Sequence, residues 1–300
     1  MPDEAYADPP EAGQPEQGTP LAGLVLVSTP IGNLGDFSPR ARQALAESDL
    51  ILCEDTRHSA RLLSAAGVDV RTEPLHEYNE DRRIAPVLGM LRSGRRIALI
   101  SDAGTPLVSD PGYRLVRAAI AEGFIVGAVP GPNAAVMALT LSGLPPQPFM
   151  FLGFPPPRSA ARRTAFGTLR AAERAGLSAT LIWHEAPHRL AETLADMAES
   201  FGPRAAAVAR ELTKHYEEVR RGTLSELAAY YAGHAARGEI TVLVGPPEED
   251  DREDLDGQLS RALATHSVKD AAALVSAATG LPRKLVYARA LAMGRPPEQA

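Results

Sequence analysis

Charged residues in the first half of the chain stand at the ends of apolar runs, where a side chain can reach a ligand. Glu54 and Arg57 come at the end of the run 50–55, and His76 follows the weaker run 70–75. A carboxylate or an imidazole can accept a proton, and a guanidinium can stabilise a developing anion. A capped helix start explains part of this pattern, and a lone histidine is more often structural than catalytic.

The second half of the chain carries a similar set of charged residues at two apolar runs. Glu185 ends one run, and Arg210, Glu211 and Lys214 come at the end of the next. These groups could do acid–base work or bind an anion. A buried arginine–glutamate pair without a catalytic role is an equally good explanation for Arg210 and Glu211.

Three loops rich in glycine and proline follow other apolar runs: STPIGNLGD at 28–36, SDAGTPLVSDPGY at 101–113 and VPGPNAA at 129–135. Glycine lets the backbone approach a ligand closely. If the runs are parallel strands, these loops share one edge of the sheet and outline a ligand-binding cleft. The chain lacks the GxGxxG motif of dinucleotide-binding proteins and the GK[ST] motif of P-loop ATPases, which disfavours both classes.

Alternating strand and helix patterns supply the elements that must position these residues. Apolar strands at 24–28, 50–55, 70–75, 96–101 and 124–130 alternate with helical patterns, which predicts an α/β fold with a parallel sheet. The proline-rich segment 144–157 interrupts this alternation. Four further strands then predict a second α/β domain with a mixed sheet.

Three short helices predicted at 257–264, 268–278 and 283–293 end the chain. They suit either a small helix-turn-helix or a plain helical cap with a basic face. We therefore expect five segments, which are a disordered tail at 1–20, α/β domains at 21–145 and 146–247, an acidic linker at 248–256 and a basic helical domain at 257–300.

The acidity of the chain is unevenly distributed. The formal net charge is −6, which argues at first against a nucleic-acid partner. Residues 1–20 carry −5 and residues 248–256 carry −6, whereas residues 257–300 carry +4. The remainder is close to neutral, so the acidity is confined to two segments and the tail is basic.

Composition excludes several classes of protein. The chain is 45% hydrophobic and 23% charged, as globular proteins are, and no apolar run is long enough to cross a membrane. The single cysteine, Cys53, cannot form an internal disulfide, which indicates a reducing compartment and a cytoplasmic protein. No metal is expected, because Pro187 disrupts the helix that the HEAPH sequence would need to bind zinc.

Seven motifs occur in an order and at distances that resemble the ribosomal small-subunit methyltransferase I family. They are STPIGNLGD, EDTRHS, LHEYNE, SDAGTPLVSDPG, PGPNAA, HEAPHRL and RELTK, and the resemblance covers about residues 24–245 and the tail. That family is a branch of the tetrapyrrole methylase superfamily. The resemblance implies two α/β domains, S-adenosylmethionine as cofactor, a homodimer, and methylation of a cytidine ribose 2′-hydroxyl (cytidine 1402) in the decoding region of 16S rRNA.

The resemblance also implies a set of cofactor-binding residues. Carried over motif by motif, they are Pro30, Ile31, Gly32, Asn33, Asp102, Ala103, Gly104, Thr105, Pro106, Val108, Pro130, Gly131, Asn133, Ala134, Glu185, Leu212 and Glu239. Two positions depart from the tetrapyrrole branch, because Ile31-Gly32-Asn33 stands where Pro-Gly-Asp is usual and Thr105 where Asp is usual. These departures favour the rRNA branch.

The same reading assigns roles in the reaction and in RNA binding. His76, Glu185 and Glu211 are candidate bases, with Arg57, Arg210 and Lys214 as candidate cations and Glu54 beside them. The expected phosphate contacts are Arg158, Arg162, Arg163, Lys269, Arg283, Lys284 and Arg289. Two alternatives remain open at this stage, namely a small-molecule methylase of the same fold and a non-catalytic RNA-binding assembly factor.

Overall fold

The first compact unit of the computed structural model is a parallel α/β sheet. The structure describes residues 23–247, 255–279 and 281–293. The strands of the first sheet are Leu24–Val27 (β1), Leu50–Cys53 (β2), Thr72–Pro74 (β3), Ile97–Leu99 (β4) and Val126–Val129 (β5). They pair in parallel in the order β3-β2-β4-β1-β5.

Four helices cover this sheet: Pro39–Ala46 (α1), Thr56–Ala66 (α2), Glu80–Arg92 (α3) and Tyr113–Ala121 (α4). Successive side chains of a strand point to opposite faces. Val25 and Val27 accordingly pack with Leu45 of α1, whereas Leu24 packs with Leu91 and Leu115 of α3 and α4. Both faces of the sheet are thus buried, as the continuous apolar runs predict.

The strand order places a crevice beside two of the glycine-rich loops. The chain leaves β1 across β4 toward one side of the sheet, and it leaves β4 across β1 toward the other. Ligands of open α/β sheets bind where the connections diverge in this way, at the carboxyl ends of the strands. The loops after β1 and β4 are therefore in the position that binding requires.

The second unit contains a mixed sheet, as the sequence predicts. Its strands are Phe149–Phe151 (β6), Thr180–Glu185 (β7), Ala205–Arg210 (β8), Glu218–Thr223 (β9) and Ile240–Val244 (β10), in the order β6-β7-β10-β8-β9. Only the β6–β7 pair is parallel among the described strands of this sheet. Its helices are Ala134–Ser142 (α5), Ser159–Arg174 (α6), Leu190–Phe201 (α7) and Leu224–Gly233 (α8).

Two features of the second unit differ from the sequence-based expectation. Strand β6 lies inside the proline-rich segment that we expected to be only a break. Its three residues lie between prolines, and β6 is an edge strand, where a proline without an N–H is tolerated. The compact units divide between Pro132 and Asn133, earlier than residue 145, because α5 packs against the second sheet.

Three helices at the end of the chain pack around a core of their own. They are Leu255–Leu263 (α9), Val268–Thr279 (α10) and Arg283–Met293 (α11). Leu259, Ala271, Val275 and Val286 are buried among them. The predicted tail at 1–20 and most of the predicted linker at 248–256 lie outside the described residues, and α9 begins at the end of that linker. No helix in the described part of the chain is long and apolar enough to span a membrane.

Candidate active site

The loops that follow β1 and β4 are joined by a short backbone bridge. The N–H of Thr29 donates to the carbonyl of Gly104 at 2.9 Å, and the N–H of Gly104 donates back to Thr29 at 3.1 Å. The Thr29 hydroxyl also donates to the carbonyl of Ser101 at 3.2 Å. These bonds hold the two loops in fixed register, so two of the predicted cofactor segments lie side by side.

Two glycines allow this close approach of backbones. Gly104 has a φ of +83°, and a Cβ there would lie 3.2 Å from the side chain of Ile31. A Cβ on Gly131, in the loop after β5, would lie 2.8 Å from the Cβ of Ser28, closer than real side chains approach. The Thr105 hydroxyl donates to the carbonyl of Pro132 at 3.1 Å. The third loop is thereby joined to the other two.

Backbone strain marks two loops of the chain. Among the described residues, the non-glycine positions with positive φ are Leu107 (+70°), Ser109 (+69°), Glu211 (+51°) and Thr213 (+66°). Such conformations cost free energy and cluster at functional sites. The first pair lies in the loop after β4 and the second in the loop after β8, both of which carry predicted site residues.

The carboxylates of Glu54, Asp102 and Asp110 interact with one another at the carboxyl edge of the first sheet. The N–H of Asp55 donates to Asp102 at 3.2 Å. Burial, together with the charges of Glu54 and Asp102, raises the pKa of Asp110 to about 6. Burial and Asp102 likewise raise the pKa of Glu54. Asp110 is not among the residues predicted from sequence, although a second aspartate in the SDAGTPLVSDPG loop was a signal for it.

His76 and Arg57 occupy very different environments in the first unit. The Nδ1 atom of His76 is buried and makes no hydrogen bond with the described residues. The His76 N–H donates to Asn79 at 2.9 Å, which fixes the backbone after β3. The side chain of Arg57 is 93% exposed, while Asp55 caps α2 by accepting from the N–H groups of Arg57 and His58. His76 is therefore the better positioned of the two for chemistry.

Glu185 does not have the environment expected of a base. Its carboxylate is buried and pairs with Arg189 at 2.5 Å. It also accepts from the Thr193 hydroxyl at 2.5 Å and from the N–H of Ala186 at 2.7 Å. Both carboxylate oxygens are thus engaged in anchoring the start of α7. These bonds favour a structural role for Glu185 over proton transfer, and its role as a base stays a prediction.

Lys214 connects the loop after β8 to the loop before β10. Its Nζ donates to Glu211 at 2.9 Å and lies 3.2 Å from Glu239. The bond from Lys214, followed by the bond from the N–H of Glu239, lowers the pKa of Glu211. Burial acts to lower the pKa of Lys214, but the two carboxylates outweigh it and the pKa rises. Glu211 is thus a weak base, and Lys214 stays a cation.

Arg210 and Leu212, also predicted at the site, differ in their environments. Arg210 pairs with Glu218 at 2.9 Å and is partly exposed, so it does not form the buried pair with Glu211 that the sequence offered as an alternative. Leu212 is buried. In the described chain, no cluster of three or more histidine, cysteine, aspartate or glutamate residues could hold a metal ion.

The expected phosphate contacts divide into exposed and buried residues. Arg158, Arg163, Lys269, Arg283, Lys284 and Arg289 are exposed, although Arg163 pairs with Glu199 and Arg289 with Asp256. Arg162 is completely buried, and its guanidinium pairs with Asp196 at 2.5 Å. The expectation that Arg162 contacts RNA is therefore wrong, because Arg162 fixes α6 to α7 instead.

Comparison with known families accounts for both α/β units and for the terminal helices. Residues 23–228 match the family of tetrapyrrole (corrin/porphyrin) methylases, and residues 249–294 match the C-terminal helix-turn-helix domain of RsmI. The ribosomal RNA small subunit methyltransferase I of Mesorhizobium japonicum is 46% identical over 272 residues, which is 89% of this chain and 91% of the relative. The chain belongs to the ribosomal RNA small subunit methyltransferase I family.

Other members of the methyltransferase I family match over similar lengths. The Pseudomonas aeruginosa protein is 44% identical, with 89% of this chain and 96% of the relative covered. Solved structures confirm the fold. The methyltransferase CobJ superimposes with a TM-score of 0.55 at 21% identity, over 75% of this chain and 94% of the other. Diphthine synthase also has a TM-score of 0.55, at 12% identity over 74% and 89% of the two chains.

Proposed function

We propose that this chain methylates the 2′-hydroxyl of a cytidine ribose in the decoding region of 16S rRNA, with S-adenosylmethionine as the methyl donor. The observation that supports this most directly is the match to curated rRNA methyltransferases over 89% of the chain at 46% identity. Residues 249–294 also match the C-terminal helix-turn-helix domain of RsmI, which supports the same assignment. We further propose that the protein acts as a homodimer in the cytoplasm.

The carboxyl edge of the first sheet fits the proposed cofactor. S-adenosylmethionine supplies a methyl group on a positively charged sulfonium. Glycine at positions 104 and 131 lets the loops at this edge pack closely, because a Cβ at Gly131 would lie 2.8 Å from the Cβ of Ser28 and one at Gly104 would lie 3.2 Å from Ile31. Asp102, Glu54 and Asp110 provide negative charge at the same edge. These carboxylates suit a cationic ligand with amino and hydroxyl groups, which donate hydrogen bonds.

The remaining cofactor residues follow from the family motifs. Besides Gly104 and Gly131, the loops Pro30–Asn33, Asp102–Pro106 with Val108, and Pro130 would hold the cofactor in the first unit. In the second unit the family motifs propose Asn133, Ala134, Glu185, Leu212 and Glu239. Asn133 caps α5 by accepting from the N–H of Val136, so its loop has a defined shape.

His76 is the proposed base of the reaction. A ribose hydroxyl is a weak nucleophile, and its attack requires a group that takes the proton as the new bond to carbon forms. Glu185 is fully engaged, and Lys214 keeps the Glu211 carboxylate paired. His76 has a buried ring nitrogen without a partner among the described residues. Arg57, Arg210 and Lys214 remain the proposed cations for stabilising the developing alkoxide.

Methyl incorporation tests the proposed function directly. The protein would be incubated with labelled S-adenosylmethionine and small ribosomal subunits from cells that lack the gene. We expect label in one cytidine of 16S rRNA, located by mapping of the 2′-O-methyl group. Label in porphyrinoid acceptors but not in rRNA would instead establish a small-molecule methylase. Subunit binding without cofactor binding in calorimetry would establish an assembly factor.

A further inference from the structure

The loop 211–217, which follows β8, holds an aromatic residue in the open. Tyr216 is 68% exposed, and the edge-on ring of His215 lies 4.8 Å from its ring at an angle of 78°. Neither residue has a role in the chemistry described above. This exposed aromatic ring belongs to the same loop as Glu211 and Lys214.

The backbone of the 211–217 loop is over-determined by hydrogen bonds. The N–H of Glu211 donates to the carbonyl of Glu239, and the N–H of Glu239 donates back to the Glu211 carboxylate, both at 3.0 Å. The N–H of Thr213 donates to the Glu217 carboxylate at 2.6 Å. Together with the Lys214 clamp, these bonds maintain the positive φ angles of Glu211 and Thr213. Tyr216 is therefore carried on a rigid segment.

The surroundings of Tyr216 decide which kind of partner fits it. Residues 211–217 carry a net charge of −1, since Lys214 is outnumbered by Glu211 and Glu217. A phosphate contact is disfavoured by this charge. Its neighbours in the chain, His215 and Glu217, are polar and exposed, so no apolar side chain adjoins Tyr216 along this stretch of the loop. A flat ring among polar groups suits the face of a nucleobase.

We propose that Tyr216 stacks on an unpaired base of the RNA substrate and so positions the strand that carries the target ribose. This inference deepens the proposed function and rests on it. Tyr216 is a positioning residue, which His215 orients from the edge. Base recognition by stacking does not depend on the sequence, so the ring contributes affinity and register.

Four variants of Tyr216 separate stacking from other roles. We expect Tyr216→Ala to bind small ribosomal subunits about tenfold more weakly in cosedimentation and to raise KM by a similar factor, with little change in kcat. Tyr216→Phe and Tyr216→Trp keep a planar ring and should stay within about twofold of the native protein. Tyr216→Leu is apolar but not planar, and it should resemble Tyr216→Ala. Affinity for S-adenosylmethionine should be unchanged in all four variants.

The control is Ile125→Ala, which removes an equally exposed side chain before β5, at the amino edge of the first sheet. It should bind subunits as the native chain does. The proposal is wrong if Tyr216→Ala binds normally, if Tyr216→Leu binds as well as Tyr216→Phe, or if Tyr216→Ala loses only self-association. If the native protein binds subunits but methylates no rRNA, the proposed function fails, and subunit affinity still decides the role of Tyr216.

Discussion

The surroundings of a residue decide its role here more than its chemical type does. Glu185, Glu211 and His76 can each accept a proton. Both carboxylate oxygens of Glu185 accept hydrogen bonds, and Glu211 is paired with Lys214, whereas one ring nitrogen of His76 lacks a partner among the described residues. Glycines show the same dependence, because only some of them stand where a side chain would collide.

Gly131→Ala tests whether the close approach of the first and third loops matters for ligand binding. The added Cβ would lie 2.8 Å from the Cβ of Ser28, so one loop must shift. We expect S-adenosylmethionine affinity to fall more than tenfold in calorimetry, about 1.4 kcal/mol or more. Gly89→Ala is the matched control, because a Cβ there meets nothing within 4 Å. Equal affinities in the two variants would contradict the site.

Asp110→Asn tests whether burial and the neighbouring carboxylates raise the pKa of Asp110. The pKa of Asp110 is raised to about 6 in the folded chain from a model-peptide value of 3.8. The folded chain favours the protonated form of Asp110. The free energy of unfolding therefore has its full value below about pH 4 and decreases as the pH rises through about 6. Asparagine stays neutral. The variant should therefore gain stability over the native chain as the pH rises.

We expect this gain to be about 1 kcal/mol near neutral pH, since the side chain is only partly buried and solvent screens it. Urea unfolding at several pH values would measure it. Near pH 4 the difference should be small, because both side chains are then largely neutral. A difference that is constant with pH would show that Asp110 titrates normally.

One helix can hold two arginines in different environments. Helix α6 contains Arg162 and Arg163 next to each other, yet Arg162 is buried and Arg163 is half exposed. Adjacent positions of a helix face different directions, so only one of the two can point into the core. Glu173, farther along α6, is also buried and pairs at 2.6 Å with Arg204, which lies just before β8.

Arg162→Ala should therefore act on stability. Removal of Arg162 takes away the closest cation of the buried Asp196 and leaves it only Arg163 at 3.5 Å, at a cost of about 3 kcal/mol, the lower end for a broken buried pair. The free energy of unfolding in urea would show this loss. Arg158→Ala, at an exposed position beside the same helix, should leave unfolding unchanged. If Arg162→Ala keeps the native free energy of unfolding and weakens subunit binding, then Arg162 acts in RNA binding and its buried ion pair does not stabilise the fold.

At the scale of the whole molecule, the chain forms separate hydrophobic cores. Clusters on both faces of the first sheet stabilise the first unit, and a cluster that includes Phe166, Trp183 and Phe201 stabilises the second. Helices α9 to α11 bury a small core of their own. A region with its own core can be removed without exposing the core of another.

Deletion of residues 248–300 should accordingly leave S-adenosylmethionine affinity nearly unchanged. Subunit binding should weaken by at least tenfold, because Lys269, Arg283 and Lys284 are lost together with other cations. The dependence of binding on salt should also become shallower, as fewer phosphates are neutralised. Unchanged subunit affinity would mean that the helices are only a cap.

Local pattern was sufficient for most of the fold. The five strands of the first sheet, the mixed second sheet and α11 at Arg283–Met293 follow the apolar periodicity of the sequence. Strand β6 was not predicted, because its three residues between prolines are too few to show the apolar pattern of a strand. The loops of the first unit could be placed together from sequence, since parallel strands bring their carboxyl ends to one edge.

The sequence by itself determined the α/β class, the glycine-rich loops and the motifs shared with the methyltransferase I family. Tertiary structure decided which of the candidate groups are engaged. Burial and pairing depend on partners far along the chain, as Arg162 with Asp196 and Lys214 with Glu239 show. The raised pKa of Asp110 likewise arises from burial and from Glu54, which is distant in sequence. No local pattern encodes such neighbours, because they meet only when the chain has folded.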